Sequence, residues 1–194
     1  KKTMDFKKKD KVNVHLIHGI TGSGKTEVYM DLIDYTIKKG KSVIVLIPEI
    51  ALTYQTVMRF TRRFKEKVSI INSRLSSGER YDQFERAKNG DVTIMIGPRS
   101  ALFTPFSNLG LIVIDEEHES AYKSESVPKY HAIEVAQKRA YDTGATVVLG
   151  SATPSLESYY KAKNGTYILH KLTTREKGNL PSVSIVDLRE ELQQ

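Results

Sequence analysis

The 194-residue chain contains no cysteine, which excludes disulfide bonds and thiolate zinc sites throughout its length. We therefore expect no zinc in this segment. No run approaches the roughly 20 apolar residues that a membrane-spanning helix needs, and we expect no membrane partner. The lysine-rich N-terminus is not followed by the apolar stretch of a signal peptide. These absences fit a protein of the reducing cytoplasm.

Acidic residues are outnumbered by basic ones, 23 against 30, and the formal net charge is +7. Such a balance favours polyanionic partners such as nucleic acid. A solvated basic surface explains the same charge equally well, so charge alone does not decide between the two. The proportions of hydrophobic (39%) and charged (27%) residues are those of an ordinary globular domain.

From residue 14 onwards, short apolar runs alternate with amphipathic stretches. The runs are mostly β-branched and nearly all apolar, which predicts strands that are covered on both faces. They occupy residues 14–17, 43–47, 68–71, 92–96, 111–114 and 146–149. Helical patterns lie between them. The alternation predicts an α/β fold with a mostly parallel sheet and helices on both faces, but it does not predict the strand order.

Helix signals and changes of composition divide the chain. One helix face is indicated by Val28, Leu32 and Tyr35, with a helix end near Gly40, and Ser76 with Glu79 predicts a capping box. Residues 1–13 form a basic lead-in that we expect to be poorly ordered, and residues 14–165 form the main lobe. Residues 166–194, with strand-like runs at 167–170 and 183–186, are expected to lead towards another domain.

The segment GITGSGKT at residues 19–26 matches the phosphate-binding pattern G-x-x-x-x-G-K-[ST]. It follows a predicted strand and precedes a predicted helix, which is the context that the pattern requires. Glycines let backbone N–H groups wrap an anionic phosphate, and the helix N-terminus adds its positive end. Lys25 would reach the β- and γ-phosphates, and Thr26 would bind Mg²⁺. The predicted ATP-binding residues are Gly19, Thr21, Gly22, Ser23, Gly24, Lys25 and Thr26.

An acidic pair, Asp115 and Glu116, follows the apolar run at 111–114. The end of a buried parallel strand opens onto the ligand crevice of an α/β sheet. Asp115 is therefore placed to hold Mg²⁺, partly through water, and Glu116 to orient and deprotonate an attacking water molecule. With Lys25, these two are the predicted catalytic residues. The pair favours ATP hydrolysis over phosphoryl transfer to a bound acceptor.

Further strings carry a family resemblance. Asp115-Glu116-Glu117-His118 is a variant of the DExH box of superfamily 2 helicases, and Ser151-Ala152-Thr153 is similar to their S-A-T element. The strings GITGSGKTEVYM, LIPEIALT, SSGERYDQFERAKNG, IGPRSALFTPFSNLGLIVIDEEHESAYKSE, KYHAIEVAQKRA and VVLGSATPSLESY together resemble the family of primosomal protein N′, the replication-restart helicases. The resemblance covers most of residues 14–194. It implies the first RecA-like lobe of an ATP- and Mg²⁺-dependent 3′→5′ DNA helicase.

The resemblance also implies partners. These are single-stranded and forked DNA, a second helicase lobe in the same full-length chain, other primosome proteins and the single-strand-binding protein. It places the protein in the bacterial cytoplasm, associated with the nucleoid. Because a second lobe normally supplies an arginine to the transition state, we expect the lobe alone to bind ATP and to turn it over weakly or not at all.

Residues for DNA contact or coupling come from the same resemblance. Pro48, Thr53, Arg99 and Ser100 resemble motifs that touch the single-strand backbone, and Ser151 and Thr153 resemble a motif that links the ATP site to DNA. The aromatic-rich coupling loop of the family corresponds to Tyr122, Lys123, Tyr130 and His131. Alternatives stay open from the residues alone. Arg99 could be a surface arginine, the tyrosines could stack on bases or pack the loop, and His118 could signal to Thr153 or be a satisfied structural histidine.

The sequence departs from the family pattern, which also includes a cysteine-rich zinc-binding region, an N-terminal DNA-binding region and a second lobe that are not found in this segment. No adenine-reading glutamine motif precedes Val14, and Pro98 stands where threonine is usual. Other functions also stay open on sequence grounds. They are a translocase that moves duplex DNA without separating its strands, a P-loop kinase for a small metabolite, and a binding module without useful catalysis.

Overall fold

The computed structural model describes residues 13–174. Residues 1–12 of the expected lead-in and the strand-like run at 183–186 therefore lie outside the described residues. Within them, strands and helices alternate along the chain. The strands are β1 (Val14–Gly19), β2 (Ser42–Leu46), β3 (Val68–Ile70), β4 (Ile94–Gly97), β5 (Leu109–Asp115), β6 (Thr146–Ser151) and β7 (Ile168–Leu172). The helices are α1 (Lys25–Lys38), α2 (Tyr54–Phe64), α3 (Ser77–Asn89), α4 (Ala132–Thr143) and α5 (Leu156–Lys163).

The seven strands form one sheet in the order β3-β4-β2-β5-β6-β1-β7, and every pair is parallel. Each predicted apolar run has become a strand, and the predicted α/β fold is confirmed. Strand β6 lies between β1 and β5, so the loops after β1, β6 and β5 meet at one edge of the sheet. In parallel sheets this carboxyl edge is where ligands bind.

Alternate residues of each central strand pack into opposite layers. In β2, Ile44 and Leu46 join the cluster that includes Ala136 of α4, whereas Val43 and Val45 join the cluster that includes Ile33 of α1. Helices therefore cover both faces, which explains why the strands have no polar side. Full burial of a side chain such as Ile44 contributes about 1.5–3 kcal/mol. No helix among residues 13–174 is long and apolar enough to cross a membrane.

Short-range signals set the helix ends. The Ser76 hydroxyl accepts from the Glu79 amide at 3.3 Å, and the Glu79 carboxylate accepts from the Ser76 amide at 2.8 Å, which confirms the capping box. Helix α1 ends at Lys38, and Gly40 has a left-handed backbone with φ of 70°. Glycine adopts that conformation without the steric cost that a Cβ atom brings.

Strand β7 pairs with β1, from His15 opposite Ile168 to Gly19 opposite Leu172. The sheet therefore includes a strand beyond residue 165, in the segment that the sequence analysis assigns to the lead-out towards another domain. Leu172 packs against the same cluster as Ile17, which joins this strand to the apolar core.

Candidate nucleotide-binding site

The loop between β1 and α1 has the shape of an anion cradle. Gly22 and Gly24 have φ of 78° and 83°, and α1 begins directly after them at Lys25. The Ser23 amide donates to the Ile20 carbonyl at 3.0 Å and closes the turn. A Cβ atom on Gly19 would lie 2.5 Å from the Ser23 hydroxyl, so a larger residue there would displace this side chain. The residue types of the pattern are therefore explained by local geometry.

Two polar side chains of this loop face an interior that suits phosphate. The Lys25 ammonium is 10% exposed and donates to the Gly19 carbonyl at 2.9 Å. The Ser23 hydroxyl is buried and has no hydrogen-bond partner among the described residues. A buried donor without a partner is costly, and a phosphate oxygen would satisfy it. Thr26 follows Lys25 in the first turn of α1, where a hydroxyl can reach a metal ion held by the phosphates. These residues fit ATP with Mg²⁺.

Asp115 ends β5 and is held by two tyrosines. The Tyr29 hydroxyl of α1 donates to Asp115 Oδ1 at 3.0 Å, and the Tyr122 hydroxyl donates to the Asp115 carbonyl at 2.6 Å. Burial raises the pKa of Asp115, and Glu116 raises it further, whereas the Tyr29 hydrogen bond and the Lys25 charge oppose that rise. The carboxylate is thus oriented within a mostly enclosed site, as a metal-binding group should be.

Glu116 adopts a left-handed backbone with φ of 46°, a conformation that non-glycine residues rarely take. Its carboxylate lies 4.0 Å from Lys25 Nζ and 3.7 Å from His118 Nδ1. The turn costs on the order of 1–3 kcal/mol and directs the side chain across the mouth of the phosphate loop. The structure therefore brings together all three predicted catalytic residues.

His118 joins the DExH box to the S-A-T element. Its Nδ1 lies 2.8 Å from the Ser151 hydroxyl, which in turn accepts from the Thr153 amide at 2.9 Å. Ser151 ends β6, so it lies between the phosphate loop after β1 and the acidic pair at the end of β5. The expected proximity of His118 to the Thr153 region is observed, and its signalling role stays a prediction.

Glu117 has a structural role next to the site that the sequence did not reveal. It is 2% exposed, and its carboxylate accepts from the Ser155 amide at 2.7 Å, the Ser155 hydroxyl at 3.1 Å and the Ser158 hydroxyl at 2.8 Å. Its own amide donates to the Gly150 carbonyl at 3.0 Å. Glu117 thereby attaches the DExH turn to the N-terminus of α5. Three consecutive acids give no sign of which one turns inwards.

Arg99 is half-buried and is held by the backbone of a neighbouring turn. It begins a 3₁₀ helix at Arg99–Phe103, and its guanidinium donates to the carbonyls of Ala121 and Lys123 at 3.0 and 2.8 Å. The reason is that residues 120–124 form a turn whose carbonyls point at the end of β4. A contact of Arg99 with DNA stays a prediction, and it would compete with these two bonds.

The tyrosines of the predicted coupling loop have different surroundings. Tyr122 is 1% exposed, so in this conformation it packs the loop and cannot stack on a base. Tyr130 is partly exposed and lies against Phe103, with ring centroids 5.4 Å apart. His131 caps α4, because its Nδ1 accepts from the Ile133 amide at 3.3 Å. Lys123 is exposed and pairs with His131 in an antiparallel bridge.

The remaining predicted DNA-contact residues lie near the same edge of the sheet. Pro48 is buried just after β2 and precedes a 3₁₀ helix at Glu49–Ala51. Thr53 is exposed and caps α2 by accepting from the Thr56 amide at 3.3 Å. Ser100 is partly exposed, next to Arg99. The structure thus gathers these positions on one side, and their contact with DNA stays a prediction.

A phosphate loop on one strand and an acidic pair on another, separated by a single strand, define an α/β nucleotide-binding lobe of the P-loop class. The chain belongs to the DEAD/DEAH box helicase family, whose sequence model matches residues 5–162. The replication restart protein PriA of Bacillus subtilis (strain 168) is 53% identical over 184 residues, which cover 94% of this chain and 23% of that protein.

Another relative and a solved structure give the same picture. The replication restart protein PriA of Chlamydia pneumoniae is 49% identical over 183 residues, covering 93% of this chain and 24% of that protein. The chain thus spans about a quarter of the length of these relatives. The structure of RecG bound to a three-way DNA junction matches with a TM-score of 0.61 at 22% identity, over 87% of this chain and 22% of that chain. This last likeness shows a common fold.

Proposed function

We propose that this chain is the ATP-binding lobe of an ATP-dependent 3′→5′ DNA helicase that acts in replication restart. The observation that carries the proposal is the meeting of Lys25 and Glu116, 4.0 Å apart, beside Asp115 at the carboxyl edge of the sheet. A carboxylate at this position suits activation of water, which a metabolite kinase does not need. The identity to PriA proteins supports the restart role.

Each site residue has a chemical task in this proposal. The loop amides of residues 22–24, with the Lys25 ammonium, hold the phosphates and neutralise their charge. Thr26 and Asp115 would hold Mg²⁺, which draws charge from the phosphate oxygens when it is bound. Glu116 orients a water molecule in line with the terminal phosphate and accepts its proton. Hydrolysis also needs an arginine from a facing lobe, which we expect a second helicase lobe to supply.

The DNA side of the proposal rests on resemblance and position. Exposed Thr53 and Lys123, with partly exposed Ser100, have donors that suit phosphate oxygens without reading bases. Tyr122 contacts Asp115, and His118 contacts both Glu116 and Ser151, which in turn contacts Thr153. Through these contacts, ATP binding or hydrolysis at the acidic pair would change the DNA-facing surface. The proposed partners are single-stranded and forked DNA, primosome proteins and the single-strand-binding protein, in the bacterial cytoplasm near the nucleoid.

The test is the steady-state rate of ATP hydrolysis with and without single-stranded DNA. It compares this chain with a longer chain that includes the second lobe, and Lys25→Ala and Glu116→Gln are made in both. We expect strong stimulation by DNA only in the longer chain. Lys25→Ala should lose ATP binding because it removes the phosphate charge contact. Glu116→Gln should keep binding and lose hydrolysis, because an amide cannot accept the proton from water.

Three results would contradict the proposal. Turnover that ignores DNA and requires a metabolite acceptor would indicate a kinase. Stimulated hydrolysis that leaves a forked substrate paired would indicate a translocase on duplex DNA. Normal hydrolysis in Glu116→Gln would remove the role that the geometry gives to this carboxylate.

A further inference from the structure

A buried tyrosine to which the sequence analysis gave no role reaches the acidic pair. Tyr29 lies one turn after Lys25 in α1, on the same side of the helix, and is 1% exposed. Its hydroxyl donates to Asp115 Oδ1 at 3.0 Å, across 86 positions of sequence. A tyrosine hydroxyl is protonated at neutral pH, so Tyr29 is the donor of this bond and the carboxylate accepts it.

Strand β6, which lies between the two halves of the site, leaves room for the Tyr29 side chain. Gly150 lies opposite Asp115 in the pairing of β5 with β6. A Cβ atom on Gly150 would lie 1.6 Å from the Tyr29 hydroxyl and 2.7 Å from the ring carbon that bears it. Neither the hydroxyl nor the ring carbon could stay where it is. Glycine at this position is therefore what lets the tyrosine cross β6 and reach the carboxylate.

We infer that Tyr29 and Gly150 form a positioning device for the Mg²⁺-binding aspartate. The inference rests on the proposed function, in which Asp115 holds that ion. The donated hydrogen bond occupies one carboxylate oxygen and restrains the rotation of the group, which leaves the other oxygen for the metal ion. The same bond joins α1, which carries Lys25, to the end of β5. It therefore fixes the position of Lys25 relative to Asp115. Partners of metal-binding carboxylates act in this way, and their loss weakens metal binding about 10–100-fold.

The test measures Mg²⁺-dependent binding of a fluorescent, non-hydrolysable ATP analogue to this chain. Affinity is measured with excess Mg²⁺ and with a chelator, and the half-saturating Mg²⁺ concentration is determined. Tyr29→Phe keeps the ring and removes only the hydroxyl. We expect it to raise the half-saturating Mg²⁺ concentration about 10-fold, at the low end of the range for such partners, and to leave affinity in chelator unchanged. Tyr160→Phe on exposed α5 is the matched control and should match the unaltered chain.

Two further variants separate the possible failures. Gly150→Ala retains the tyrosine but displaces its hydroxyl, and should raise the half-saturating Mg²⁺ concentration as Tyr29→Phe does. Asp115→Asn should remove the Mg²⁺-dependent part of binding altogether. If Asp115→Asn does so while Tyr29→Phe binds Mg²⁺ normally, the positioning role is wrong and the metal site stands. If the unaltered chain shows no Mg²⁺ dependence, both the inference and the proposed metal site fall. Equal loss of affinity with and without Mg²⁺ in Tyr29→Phe would mean that the tyrosine only supports the fold.

Discussion

At the scale of single residues, three consecutive acids of the site make three different contacts. Asp115, Glu116 and Glu117 are consecutive acids, yet they face Tyr29, Lys25 and α5 respectively. Glu116, between the other two acids, has a left-handed backbone, at the point where the chain leaves the regular geometry of β5. A turn that stores strain next to reacting groups is typical of functional sites.

Glu117→Ala is expected to destabilise the fold. It removes three hydrogen bonds and leaves the Ser155 amide and the buried Ser158 hydroxyl without their acceptor. An unsatisfied buried donor costs about 1–3 kcal/mol, and we expect a loss of at least this size in the free energy of unfolding. Urea denaturation measures it. Glu157→Ala, an exposed change on α5, is the control, and equal effects of the two changes would show that the buried contacts of Glu117 contribute nothing.

At the scale of elements, separate strand ends are joined by polar contacts across the carboxyl edge. Arg99 at the end of β4 holds the turn at 120–124, and Tyr122 within that turn holds the end of β5. This chain of contacts connects a segment with predicted DNA contacts to Asp115, the proposed metal ligand. A movement of Arg99 can therefore shift Asp115, and the reverse, through the turn at 120–124.

Arg99→Ala is expected to loosen the turn at 120–124. The Lys123 and Ser124 amides donate to the Ser120 and Tyr130 carbonyls, and both should exchange their hydrogens faster once the guanidinium is gone. Hydrogen–deuterium exchange measures this directly. Arg86→Ala on exposed α3 serves as the matched control. Unchanged exchange at both amides would mean that Tyr122 and the pairing with His131 hold the turn without Arg99.

The pairing of β7 with β1 should depend on pH. His15 Nδ1 lies 2.9 Å from His170 Nε2, and the two rings stack with centroids 5.2 Å apart. Burial, and secondarily the charge of His170, lowers the pKa of His15 from 6.5 to about 4. Between these values the unfolded chain binds more protons than the folded one, so stability rises with pH. The contribution of His15 is complete above pH 6.5, declines as the pH falls and is lost below about pH 4.

The measurement for this pair is the free energy of unfolding between pH 7 and pH 4. His15→Gln keeps a polar side chain but cannot take up a proton in that range, and it should reduce the decline towards low pH. His131→Gln is a control for a histidine far from β7. If His15→Gln and the unaltered chain decline in parallel, burial of His15 does not oppose its protonation.

At the scale of the whole molecule, the chain has a net charge of +7, and its proposed binding to DNA should therefore depend on salt. Backbone phosphates held by lysine and arginine release counterions on binding, so affinity falls linearly with salt on logarithmic axes. We expect the affinity of this chain for single-stranded DNA to show such a slope, with little dependence on base sequence. Fluorescence anisotropy with two unrelated oligonucleotides at several salt concentrations measures it. Affinity that is insensitive to salt, or that differs strongly between the oligonucleotides, would contradict binding through the backbone.

The sequence by itself determined the phosphate loop, the acidic pair, the strand positions and the family, because each depends on residues close together in the chain. A loop of eight residues closes through its own glycines, and a buried strand shows its burial in its own apolar run. Helix α1 marks the limit of such reasoning. Its expected face included Tyr35, which is 46% exposed, whereas the residue that matters to the site is buried Tyr29.

Only the tertiary structure decided the strand order, the burial of Glu117 and Tyr122, and the contacts of Arg99 and Tyr29. These contacts join residues that lie far apart in sequence, up to 86 positions between Tyr29 and Asp115. They exist because β6 lies between β1 and β5 and because Gly150 leaves room above it. No local pattern encodes that order. The strand order depends on how the helices pack on both faces of the sheet. The strand order in turn sets the positions of the polar side chains at the carboxyl edge.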